Sequence, residues 1–129
     1  MKYYIDKIIG EDFITTVSRT REALKSEGFG IISEIDLHEK FKEKLDVKFR
    51  NYKILGACIP ELAHKAVLSE DKIGTMLPCN VVIQSLENRQ TEVVAVDPLS
   101  SMKAVENKEL KKIAGKIRER LEKVIESIN

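Results

Sequence analysis

Asn80-Val-Val-Ile-Gln-Ser-Leu86 and Thr91-Glu-Val-Val-Ala-Val96 are two β-branched runs separated only by the polar stretch Glu87-Asn-Arg-Gln90. Two such runs joined by so short a polar link read as a β-hairpin, because a parallel return would need a crossover of a dozen or more residues. The pair is therefore antiparallel. That decides for the α+β class over a doubly wound parallel sheet. Asp97-Pro98 closes the second run, since proline offers no ladder donor and its predecessor avoids the helical region.

Downstream of the hairpin the period changes from two to three and four. Leu110, Ile113, Ala114, Ile117, Leu121, Val124, Ile125 and Ile128 lie on one face of a helix that runs to the end of the chain, with Gly115 a mild weakness inside it. Upstream, Lys53-Ile-Leu-Gly-Ala-Cys-Ile59 is a nearly continuous apolar run, as expected of a strand at the centre of the sheet. Pro60 fits the first position of the helix that follows, with Leu62, Ala63, Ala66 and Val67 as its buried stripe and an end near Ser69. A short helical turn is expected from Ile73 to Met76.

The N-terminal half repeats the alternation of strand and helix. Met1 to Ile9 reads as a first strand closed by Gly10. Asp12 caps a helix from Phe13 to Glu27, carried by Phe13, Val17, Ala23 and Leu24 and stopped by Gly28. Phe29 to Ile35 is a second strand, and Asp36 caps a charged helix through Leu37, Phe41 and Leu45. The expected product is a mixed, largely antiparallel sheet with helices packed on one face and a long C-terminal helix.

The 129 residues suffice for one domain spanning the whole chain. Lys plus Arg number 22 against 21 Asp plus Glu, so no excess charge gathers polyanions or holds the protein on an acidic membrane. The basic residues from Lys108 to Lys123 interleave with Glu109, Glu119 and Glu122 at helical spacing, which makes a paired, solvated face and not a nucleic-acid patch. Glycine-rich phosphate loops are absent. No run approaches the roughly 20 apolar residues of a membrane span, and no secretory leader is recognisable, so a cytoplasmic protein is expected.

Chemistry, where the sequence offers it, lies at Cys58 and Cys79. Each sits beside a proline at the edge of an apolar run, and pairing of their strands would bring the sulfurs close. The N-terminus of the Pro60 helix would favour the Cys58 thiolate. Packed small hydrophobes, a soft metal-ion site or reactive thiol pair, and a disulfide are the three readings open for these residues. His64, one turn into the same helix, is either a surface histidine or a third ligand and proton acceptor, while His38 is expected to face solvent. Asp97 either points a carboxylate into a cleft or caps the turn from Leu99 to Met102, and Asn80 either orients a ligand or merely starts a strand.

Ile54-Leu-Gly-Ala-Cys-Ile-Pro-Glu-Leu-Ala-His-Lys-Ala66, Ile73-Gly74, Leu77-Pro-Cys-Asn-Val-Val-Ile83 and Ala95-Val-Asp-Pro98 resemble, as spaced motifs, the family known as domain of unknown function (DUF) 302. Gly28-Phe29 and Ile35-Asp36 match its N-terminal half. The resemblance implies a small α+β domain similar to the TATA-binding-protein-like sandwich, found as a dimer in bacteria and archaea, and it implies no activity. Cys58, Pro60, His64, Cys79, Asn80, Asp97 and Pro98 fall on the family pattern. Ile59 departs from an asparagine there, which removes an N-cap from the Pro60 helix.

Three functions follow as expectations. The first is a homodimeric module that binds a small ligand or metal or exchanges thiols through Cys58 and Cys79, with His64 or Asp97 setting protonation. Its dimer would form through a sheet edge or the long helix. The second is a small-molecule enzyme with Cys58 as nucleophile and His64 as base. The third is a structural or interaction domain with inert thiols.

Overall fold

In the computed structural model, which describes residues 2–129, the chain runs β1 (Tyr4–Ile9), α1 (Phe13–Ser26), β2 (Gly30–Asp36), α2 (Leu37–Leu45), β3 (Tyr52–Cys58), α3 (Pro60–Ser69), a 3₁₀ turn (Asp71–Met76), β4 (Cys79–Ser85), β5 (Thr91–Val96), α4 (Pro98–Ser101) and α5 (Lys108–Ser127). Met1, which the sequence assigns to the first strand, lies outside the described residues. The five strands form one antiparallel sheet in the order β1-β5-β4-β3-β2. The hairpin forms in the expected place, with Asn88 and Arg89 at φ 61° and 58° and the Leu86 N–H donating to Gln90 O at 2.8 Å. Positive φ at both central residues gives the turn the twist its strands need. β3 lies inside the sheet, but β4 occupies its centre.

The caps fall largely where the residue types allow. Asp12 accepts the Thr15 N–H at 2.7 Å, Asn107 accepts the Leu110 N–H at 3.0 Å, and Gly28 takes φ 87° just past α1. Asp36 is the exception. Its side chain makes no cap bond at α2 and instead lies 3.0 Å from Lys53 Nζ, because β2 and β3 place the two residues opposite one another. The buried face of α1 is Thr16, Thr20, Ala23 and Leu24. The two threonines are tolerated there because each hydroxyl bonds back to a carbonyl one turn earlier, Thr16 to Asp12 and Thr20 to Thr16, both at 2.7 Å. In α3 only Ala66 is buried, and Val67 is exposed, contrary to its expected place in the stripe.

Burial alternates in β4 and β5, the middle of the sheet. Leu55, Ala57, Cys79, Val81, Ile83, Val93 and Ala95 point to one side, where α1 and α5 cover them. From α5 come Leu110, Ile113, Ala114, Ile117, Leu121, Val124 and Ile125, the face read from its period. Each fully buried aliphatic side chain contributes roughly 1.5–3 kcal/mol. Tyr4, Asp6, Ile8, Tyr52, Ile54, Val82, Gln84, Glu92, Val94 and Val96 point the other way and remain half-buried or exposed. No described helix is long and apolar enough to cross a membrane.

Candidate functional site

The cysteines come first because the sequence pointed there. β3 and β4 do pair, with Ala57 opposite Cys79 and Gly56 opposite Asn80. That register is one residue away from aligning the two cysteines. Strand alternation sends Cys79 into the core beneath the helices and turns Cys58, half-buried at the strand end, toward the other face. Both are free thiols. Burial, and secondarily the charge Cys58 would carry, push the Cys79 thiol up to about 11. It is therefore protonated and unreactive at neutral pH.

The remaining residues of that constellation scatter. His64 is exposed on α3, Asn80 is exposed on the open side of β4, and among the described residues no group of three or more His, Cys, Asp or Glu gathers around a point that could hold a metal ion. Asp97 is buried, and its carboxylate is spent on the fold. It accepts the Leu99 N–H at 3.0 Å to cap α4 and pairs with Arg118 of α5 at 3.1 Å. Gly56 explains its own place: a Cβ there would overlap Ser33 Oγ and meet Pro78 Cγ at 2.6 Å. A register shift between Ile31 and Ser33 brings Ser33 into this position.

His38 does not face solvent as expected. It is half-buried, stands edge-on to Phe13, and its Nδ1 accepts the Tyr52 N–H at 2.9 Å. The same Nδ1 lies 3.1 Å from Tyr52 O, so the ring meets both backbone groups of that residue. The bond pins the start of β3 and with it the Tyr52 side chain.

Tyr52 belongs to a feature that the sequence did not disclose. On the open face of the sheet lies a cavity of about 310 Å3 walled by Tyr3, Tyr4 and Tyr52, with Val82 and Val94 also lining it and Gln84 and Glu92 supplying polar groups. Glu92 Oε1 accepts from Gln84 Nε2 at 2.9 Å, and Gln84 Oε1 in turn accepts from Arg50 Nε at 2.9 Å. Glu92 is raised from its ordinary carboxylate value, first by burial and then by the neighbouring Asp6 carboxyl. The signal that could have found this site is parity. Tyr4 and Asp6 in β1 share a face with Glu92 and Val94 in β5, given the pairing Tyr4 to Val96 and Asp6 to Val94.

A larger hollow, about 540 Å3, lies where α1 meets the chain end, but Arg19 within it already donates to the Asn129 carbonyl oxygen. Arg19 also pairs with Glu11 at 3.6 Å, so its charge is answered within the chain. The cavity on the sheet face is the better candidate, since it joins apolar and aromatic walls to a few convergent polar groups on rigid strands.

No curated protein matches this chain. Among solved structures, the uncharacterized conserved protein DUF302 from Bacillus stearothermophilus is similar over 100% of both chains, with 27% identity and a TM-score of 0.91. The family model described as "Domain of unknown function DUF302" matches residues 5–128. With nearly the whole chain matched, this protein belongs to the DUF302 family.

Proposed function

We propose that this protein is a small-ligand-binding domain whose ligand sits on the open face of the sheet, in the cavity between Tyr4, Tyr52 and Glu92. The observation that carries this reading is the one-sided cover of the sheet. Helices cover one face, burying most of it, while the other keeps a concave, partly apolar surface with Gln84 and Glu92 on its wall. The volume is at the lower end of the range for ligand sites, which suits a small molecule. Thiol exchange between Cys58 and Cys79 is the weaker reading, because the sulfurs face opposite sides and Cys79 is buried. A Cys58 nucleophile served by His64 draws no support from the exposed position of His64.

Homodimer formation is the second reading, and Ile8 and Ile35 favour it. They stand on the open side of the two edge strands and are 53% and 42% exposed. Pairing of two copies through these rims would enclose the cavities between them. A thermal-shift panel of small cationic, neutral and anionic compounds, run on the native chain and on Val82→Trp, tests the first reading. At least one class should raise the native melting temperature and leave the filled variant unmoved. No shift in any class, or equal shifts in both proteins, would refute it. Light scattering of the native chain and of an Ile8→Lys, Ile35→Lys variant tests the second, with a dimer expected only for the native chain.

A further inference from the structure

We infer that the cavity on the open sheet face accepts an organic ammonium ion. The inference rests on reading that face as the ligand site, and adds the chemical class. The wall presents what a cation needs: the aromatic rings of Tyr3, Tyr4 and Tyr52, the acceptor oxygens of Glu92, and Asp6 beside them. Aromatic faces are electron-rich, and carboxylates accept hydrogen bonds from N–H groups or balance charge where the nitrogen carries none. No basic side chain lines the cavity among the described residues.

A second, independent observation points the same way. Cations of the chain already use the margins of this site. Lys2 Nζ lies 5.5 Å from the centre of the Tyr4 ring and 3.7 Å from Asp6, and the Arg50 guanidinium lies 5.7 Å from the centre of the Tyr52 ring. The rim is thus matched to ammonium and guanidinium groups, and both of these tethered cations sit on exposed residues outside the lining set.

Electrostatics explains why the middle of the site wants a counter-charge. Gln84 gives Glu92 one N–H, Asp6 crowds it with like charge, Lys2 neutralises Asp6 only from the outside, and Arg50 reaches Gln84 and not Glu92. An ammonium ion between the rings and Glu92 would favour the ionised Glu92 carboxylate. Occupancy then falls as pH drops and Glu92 takes up its proton, so binding is stronger at neutral than at acid pH.

The test uses three probes of one carbon skeleton, n-butylammonium, 1-butanol and butyrate, titrated into the intact chain with the tyrosine ring resonances followed by NMR. Butylammonium should move the rings of Tyr4 and Tyr52 saturably. Glu92→Gln, which keeps the side-chain shape, should weaken it by roughly tenfold or more, the loss expected for removing a charged partner. If butanol or butyrate binds there as well as the amine, the ammonium assignment fails while the ligand site stands. If none of the three moves those rings, both fail. Unchanged amine affinity in Glu92→Gln also overturns the assignment.

Discussion

The two faces of the sheet are built from the same five strands and differ by a single step along each of them. On one step lie Leu55, Ala57, Val81, Ile83, Val93 and Ala95, all fully buried. On the next lie Ile54, Val82, Gln84, Glu92 and Val94, none of them fully buried. The helices account for the difference: α5 offers an unbroken apolar face and α1 a short one completed by back-bonded threonines, so both settle on the same side. The covered face supplies stability, while the open face keeps polar groups and rings at positions where stability does not require them.

Thiol chemistry should give the widest contrast, since each face holds one sulfur. A thiol reagent should label Cys58 in the native chain and reach Cys79 only through opening, with rates differing by on the order of 10³ or more. Mass spectrometry of partially labelled protein would read this, and equal labelling would break the assignment of faces. Next in size is core truncation. Leu121→Ala, at a fully buried α5 position, should cost about 2–5 kcal/mol in urea denaturation, and Ile8→Ala on the open face about 1 kcal/mol or less. A comparable loss at Ile8 would mean that a second copy covers it.

Gly56→Ala should cost about 1–3 kcal/mol, because Ser33 and Pro78 occupy the space its methyl would take. This is the place where the open face is packed as tightly as the core. Gly115→Ala should do the reverse. It lies inside α5 with open space where a Cβ would be added, so helix propensity alone should raise stability by about 0.5–1 kcal/mol. The smallest effect concerns Glu34, where Arg21 and then Lys53 hold the carboxyl down to about 2 from an ordinary 4.5. Its folded value is depressed, so its contribution is present above pH 4.5 and is lost as pH falls toward 2. At 38% exposure this amounts to about 1 kcal/mol or less, and Glu34→Gln should match the native chain near pH 2 while trailing it at pH 7.

Much of the fold was legible in the sequence, and the reasons are local. The hairpin from Asn80 to Val96, the caps at Asp12 and Gly28, the turn after Asp97-Pro98 and every buried position of α5 follow from period, residue type and backbone preference. The DUF302 resemblance, carried by spaced motifs, agrees with the family match. Local rules failed where a distant partner outbid them. Asp36 turned to Lys53, and His38 bonded the backbone of Tyr52.

The candidate site was less legible still. Cys58 and Cys79 stood out because cysteine, proline and strand edges are conspicuous in a sequence, yet a one-residue register separates them. Tyr4, Tyr52, Gln84 and Glu92 read in the sequence only as ordinary strand residues, and Tyr3 stands just before β1. They converge only when β1, β5, β4 and β3 lie side by side.

From its own residues, then, the chain settled its class, its helices and strands, their order, and which stripe of α5 faces inward, because these depend on neighbours a few residues apart. Strand order, register, and the side of the sheet on which each group emerges were decided by the assembled fold. In a pleated strand one residue of slip exchanges the two faces, and no local pattern registers that slip until the strands are paired.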